Sequence, residues 1–233
     1  MLLAASVLYF GADIWDFIVP PAPQAQIDPV ATHRQLVKTS LDKIVGQNQF
    51  PSDVMAGFGP FVESFPVPIN WELQTIACED TSCLATWRRL PGGSTKGFLA
   101  AMRISNDDST LDFPGVDQIR RKVSFTKPAA TRKMVLGTQV QFAKTIITWF
   151  QQLKDENRQP SIGQPVPLVP IPPNVKLLDS DKPVFGEYSF TVPFSSLNTV
   201  SQLPDLMTIE KILVTYKKQG DVDVEFKGKY YAF

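Results

Sequence analysis

The side chains with the most chemical reach in this chain are two cysteines, Cys78 and Cys83, one histidine, His33, and two basic clusters, Arg88-Arg89 and Arg120-Arg121-Lys122. A polar stretch, Glu79-Asp80-Thr81-Ser82, separates the cysteines, and strand-like runs flank them. In a β-hairpin with a four-residue loop, the residues bracketing the loop lie opposite each other, with Cβ atoms roughly 4.5–5.5 Å apart. A disulfide needs about 3.5–4.5 Å between Cβ atoms, which the closer type of pair approaches. The spacing therefore predicts a cross-strand disulfide closing the tip. Two free buried thiols are the competing reading. Zinc is poorer, because two thiolates do not complete a tetrahedral site and His33 is remote in sequence. A disulfide places the body in an oxidising compartment, since cytosolic thiols are kept reduced.

Catalytic groupings are hard to assemble from these residues. A Ser-His-acid triad would have to use His33, and no Gly-x-Ser-x-Gly elbow holds a serine. The cysteine spacing is wrong for a redox Cys-x-x-Cys pair. Pro91-Gly92-Gly93 lacks the Gly-Lys-Ser/Thr ending of a phosphate loop and reads as a turn before a helix cap. No metal site and no cofactor are expected. Paired carboxylates stay open, because sequence spacing says nothing about pairs in space. The basic clusters, Arg88, Arg89, Arg120, Arg121 and Lys122, read first as solvated strand faces with cross-strand charge pairs. Their sharper reading is a docking patch for an acidic partner.

Lys+Arg and Asp+Glu each total 23 in 233 residues, so net charge is zero. Non-specific nucleic-acid binding rests on phosphate neutralisation, and this balance argues against it. Twenty prolines cluster and point to linkers.

The elements that must position these residues follow from periodicity. Asp28-Pro29 starts a helix, with Val30, Val37, Leu41 and Ile44 in its stripe, His33 beside it and Gly46 as its stop. The stretch 50–68 shows no clean period and reads as irregular. Pairing Cys78 with Cys83 sets Ile76 opposite Ala85, Ala77 opposite Leu84, Gln74 opposite Trp87 and Trp71 opposite Leu90. Both faces of that hairpin carry apolar residues, so the buried one is not assigned. Ser94 or Thr95 caps a helix through Phe98, Leu99 and Met102. Strands are expected at 109–113 and 119–126, with Ile119, Arg121, Val123 and Phe125 sharing a face. Thr138 and Gln141 suggest a capping box for a helix to about 157, with Val140, Ala143, Ile147, Phe150 and Leu153 inward and Ile146 and Trp149 widening that face. Residues 159–173 read as a polyproline spacer.

The last part is cleaner. Tyr188, Phe190 and Val192 alternate with polar residues, and a short helix opens at Ser195 or Ser196. The run from Met207 to Tyr216 slips phase between Ile209 and Ile212, which suggests a bulge or two buried faces. Lys217-Lys218-Gln219-Gly220 is a hairpin loop. Val222, Val224, Phe226, Gly228, Tyr230 and Ala232 then point one way, and Asp223, Glu225, Lys227 and Lys229 the other. The expected class is α+β, with ferredoxin-like β-α-β-β lobes and a disulfide-closed hairpin.

Residues 1–19 are the most apolar stretch and read first as the outer part of a transmembrane anchor, its inner part encoded upstream, and second as an amphipathic helix packed on its own domain. Expected boundaries are an anchor at 1–19, a Pro-rich exit and juxtamembrane helix at 20–48, a first lobe at 49–128, an amphipathic helix and Pro-rich linker at 129–174, and a second lobe at 175–233.

Three features together resemble the PilO-type pilus accessory proteins of type IVb pilus and conjugative thin-pilus systems. One is Trp71, Cys78, Cys83 and Trp87-Arg88-Arg89 followed by a Gly turn and a helix with Phe98. Another is Leu203-Pro204 before the Ile209-to-Tyr216 strand and a final strand containing Gly228. The third is the layout, with a membrane segment, a Pro-rich exit and then a mixed domain. The resemblance implies a non-enzymatic periplasmic scaffold on an inner-membrane platform. It implies no catalytic residues, and its partners are other pilus or secretion platform proteins, with a second copy of the chain as a further candidate. The alternative is an envelope enzyme or ligand-binding protein using carboxylate chemistry. A deep pocket of paired acids would favour that alternative.

Overall fold

The computed structural model describes residues 27–46, 51–79, 82–125, 139–156, 158, 160–197 and 206–232. The anchor expected at 1–19, the Pro-rich exit at 20–26 and Thr138 of the capping box lie outside them. No helix among the described residues is long and apolar enough to cross a membrane.

The organising element is one nine-stranded sheet in which every pairing is antiparallel. Its strands are β1 (Trp71–Glu79), β2 (Ser82–Arg89), β3 (Leu111–Gly115), β4 (Gln118–Ser124), β5 (Ser161–Ile162), β6 (Val166–Pro167), β7 (Val184–Pro193), β8 (Met207–Tyr216) and β9 (Val222–Ala232). They run in the order β3-β4-β2-β1-β8-β9-β7-β5, with β6 also on β7. The two stretches expected as separate lobes thus meet in one sheet, through Thr75↔Thr215 to Glu79↔Lys211. The class is α+β, and the sheet carries the cysteine hairpin.

Four α-helices among the described residues accompany it: α1 (Pro29–Gly46), α2 (Pro51–Glu63), α3 (Thr95–Met102) and α4 (Gln139–Asp155). Asp28 caps α1 by accepting the Val30 N–H at 2.9 Å, as its place before Pro29 predicts. The stretch expected to be irregular is instead α2, opened by Pro51 at its first position. Phe58 and Val62 are buried at helical spacing, and their burial outweighs the proline content. Ser94 caps α3 by accepting the Gly97 N–H, and Arg103 closes it in the left-handed region. In α4 the buried stripe is Ile146, Trp149 and Leu153, whereas Ile147 is 67% exposed. The helix is rotated from the expected face because Trp149 seats edge-on against Phe190, with ring centroids 5.1 Å apart. The expected polyproline spacer is not free, since its residues pair with β7 as β5 and β6.

One face of the sheet holds the core. Trp71 and Trp87 pack on Phe98, Phe58 on Phe125, and Phe190 on Phe226. Two bulges keep that face continuous. Between Leu73 and Thr75 the register shifts, so Leu73, not Gln74, opposes Trp87, and Trp71 opposes Arg89, not Leu90. The shift lets Trp71 and Leu73 share the buried face with Ile76 and Cys78, although their sequence parity differs. The phase slip in β8 is a second bulge, between Ile209 and Lys211.

Candidate functional site

The Cys78–Cys83 disulfide is formed, with Cα atoms 4.0 Å apart, as a narrow non-hydrogen-bonded pair requires. Pairing continues past it to Glu79↔Ser82, so the tip is shorter than the expected four-residue loop. Both cysteines are buried on the core face, beside Val123 on β4 and Ile212 on β8. The bond staples the hairpin and is not exposed for exchange.

His33 lies within the buried stripe of α1, not beside it. Its Nε2–H donates to the Asp181 carbonyl oxygen at 2.6 Å, and the neighbouring Arg34 pairs with the Asp181 carboxylate at 3.0 Å. Adjacent helix residues thus grip the last residue of the 3-10 turn Asp179–Asp181, a structural role.

The basic clusters divide between faces. Arg88 pairs with Glu72 at 2.6 Å and Arg89 with Asp117 at 3.1 Å. Arg121 shares the inner face with Ile119 and Phe125 and lies 3.8 Å from Asp108. Arg120 and Lys122, on the outer face opposite Thr86 and Leu84, have no ion pair among the described residues.

The concavity of this outer face is a polar trough of about 770 Å³. Its floor is a row across the strands: Glu79 on β1, Lys211 on β8, Lys227 on β9, Ser189 on β7 and Ser161 on β5. Glu210 and Glu187 flank the row. The β8 bulge skips Glu210 in the ladder, which puts two successive side chains, Glu210 and Lys211, into the trough. Two of these carboxylates are paired with lysines: Glu79 with Lys211 at 2.5 Å, and Glu210 with Lys229, from beside the trough, at 2.9 Å. The Lys211 ammonium holds the Glu79 carboxyl below its ordinary range, and Glu210 pushes Lys229 up. Both shifts favour the charged forms, so these groups are poor proton donors or bases near neutrality. Tyr188 is also among the lining residues. Its ring is buried, burial pushes its phenol far up, and its O–H donates to the Thr208 carbonyl at 2.9 Å. Among the described residues no three His, Cys, Asp or Glu side chains converge as metal ligands would.

Sequence reasoning placed Lys227 and Lys229 on an outward face but did not join them to Glu79 and Glu210. The only signal was the β8 phase slip, and it does not name the neighbouring strand. No family model, no curated protein and no solved structure matches this chain.

Proposed function

We propose that the chain is a non-enzymatic scaffold domain displayed in the periplasm, part of an inner-membrane pilus or secretion platform and working through protein contacts. The observation that carries this reading is the trough: two of its carboxylates, Glu79 and Glu210, are paired with lysines, and Lys211 holds Glu79 ionised, so the pairs offer charge recognition rather than acid–base chemistry. The buried disulfide supports an oxidising location. The finer parts of the reading are ferredoxin-like lobes within the shared sheet and an anchor over residues 1–19 fixing the domain to the membrane.

The sheet edges are unsuited to partner strands. β3 is short, irregular and contains Pro114, and the opposite edge consists of two-residue strands amid prolines. Contacts would therefore fall on helix faces and loops. The trough's size favours a second reading, a polar ligand site, which keeps the envelope enzyme or binding protein as the alternative.

The experiment is complementation. In a pilus-forming host lacking the gene, a Glu79→Gln/Glu187→Gln/Glu210→Gln chain restores pilus assembly under the scaffold reading. Loss of assembly with normal protein levels refutes it in favour of trough chemistry. Alkaline phosphatase fused after Phe233 is active only if the domain is exported, and an inactive fusion refutes the location.

A further inference from the structure

Three loops converge at the end of the sheet remote from the disulfide. They are residues 66–70 before β1, residues 90–93 after β2, and Val116-Asp117 between β3 and β4. Backbone bonds fasten them together. Leu90 N–H donates to Asn70 O at 2.9 Å and Arg89 N–H to Asp117 O at 2.7 Å; within the first loop, Trp71 N–H donates to Pro68 O at 3.0 Å. Asn70 is left-handed at φ 60°, and a Cβ on Gly93 would stand 2.5 Å from the Asn70 carbonyl oxygen. Only glycine allows that approach, so the loops interlock.

This fixed base displays apolar side chains in water. Ile69 is 89% exposed, Val116 82%, Val67 57% and Leu90 38%. They add little to the core, and a preordered apolar surface loses little freedom on docking. The rim bears on the occupant. It carries both members of two ion pairs, Arg88–Glu72 and Arg89–Asp117. A one-signed rim would suit an acidic or a basic partner, whereas this one is complementary to its own copy. A two-fold axis through the apolar centre would let Arg89 of each copy exchange its own Asp117 for that of the other. The apolar side chains expose on the order of 500 Å², and the rim brings the surface near the roughly 800 Å² per partner of an ordinary interface.

We propose that this loop end is the contact of a two-fold dimer of this chain, a claim that stands apart from the scaffold reading. Sedimentation equilibrium of the full chain from about 5 to about 500 µM tests it. A reversible monomer–dimer equilibrium is expected, and Ile69→Asp/Val116→Asp weakens it at least about tenfold. At concentrations where both chains are monomeric, thermal unfolding of that variant stays unchanged, because both side chains are exposed. Arg89→Asp and Asp117→Arg chains each associate less, and mixing them restores association. A monomer at every concentration overturns the proposal. So does a dimer indifferent to the double variant, or a charge-exchanged mixture that fails to associate. Binding to phosphatidylcholine vesicles that is lost in the double variant would assign the surface to lipid instead and likewise overturn it.

Discussion

At the centre of the sheet two bulged hairpins, β1–β2 and β8–β9, join at β1–β8, and they are held in register by different means. The β1–β2 hairpin is clipped at its tip by Cys78–Cys83. The β8–β9 hairpin has no covalent link and is strapped to β7 by tyrosines lying over glycines. Tyr188 leaves β7, crosses Gly228 on β9 and reaches the Thr208 carbonyl on β8. Tyr230 leaves β9, crosses Gly186 on β7 and reaches the Gly163 carbonyl at 2.5 Å. A bulge frees a strand from strict pairing, and something else must then fix its register. A bond acts by restricting the unfolded chain, whereas a strap acts by fit in the folded one. The straps should therefore tolerate change less than the bond does.

The sharpest way to break that contrast is Gly228→Ala. A Cβ there would fall 1.7 Å from the Thr208 oxygen and 3.0 Å from the Tyr188 ring. Both are fixed, so backbone must move. A loss of about 4 kcal/mol is expected in urea unfolding. A loss below about 1 kcal/mol would show that the strap is slack.

Next is the bond itself. Cys78→Ala/Cys83→Ala opens a loop with a sequence separation of only 5. Chain entropy for so short a loop is about 2 kcal/mol. The variant should stay folded and unfold at lower urea. If it loses more than Gly228→Ala does, the ranking of bond and strap is reversed.

Tyr188→Phe is a smaller change. It keeps the ring over Gly228 but leaves the buried Thr208 oxygen without its phenol donor, a loss of about 1–2 kcal/mol in the same assay.

How much of this contrast was readable beforehand divides along the same line. The disulfide and the register near it followed from spacing, because a hairpin is local and adjacent strands need only a turn. Farther along β1 the assignment failed at Gln74, where the bulge lets two apolar phases share a face. The same event in β8 was legible because two polar residues, Glu210 and Lys211, separate Ile209 from Ile212 and break the alternation. Residues 51–63 hid a helix because prolines masked the spacing of Phe58 and Val62. The straps and the trough were out of reach. Each needs β1 beside β8, or β7 beside β9, and such long-range pairing is set by tertiary packing rather than by any local pattern. The apolar loop end was missed for a related reason: Ile69, Leu90 and Val116 are far apart in sequence until three loops meet.

The smallest effect concerns the outer-face ion pair that crosses the seam between the hairpins. Glu79 is bonded by Lys211 from the neighbouring strand, and its folded carboxyl titrates below its ordinary value of 4.5. A lowered carboxyl stabilises the folded state above its unfolded value and loses that contribution as pH falls through the folded one. The pair thus acts at neutral pH and fades below about pH 4.5. Because both groups are solvent-exposed, water and salt screen most of the attraction. Glu79→Gln should move the melting temperature at pH 7 only slightly, less so in high salt, and not at all near pH 2. A large shift at pH 7 that survives high salt would mean the seam depends on this pair, and that the two hairpins are joined by charge rather than by the core beneath them.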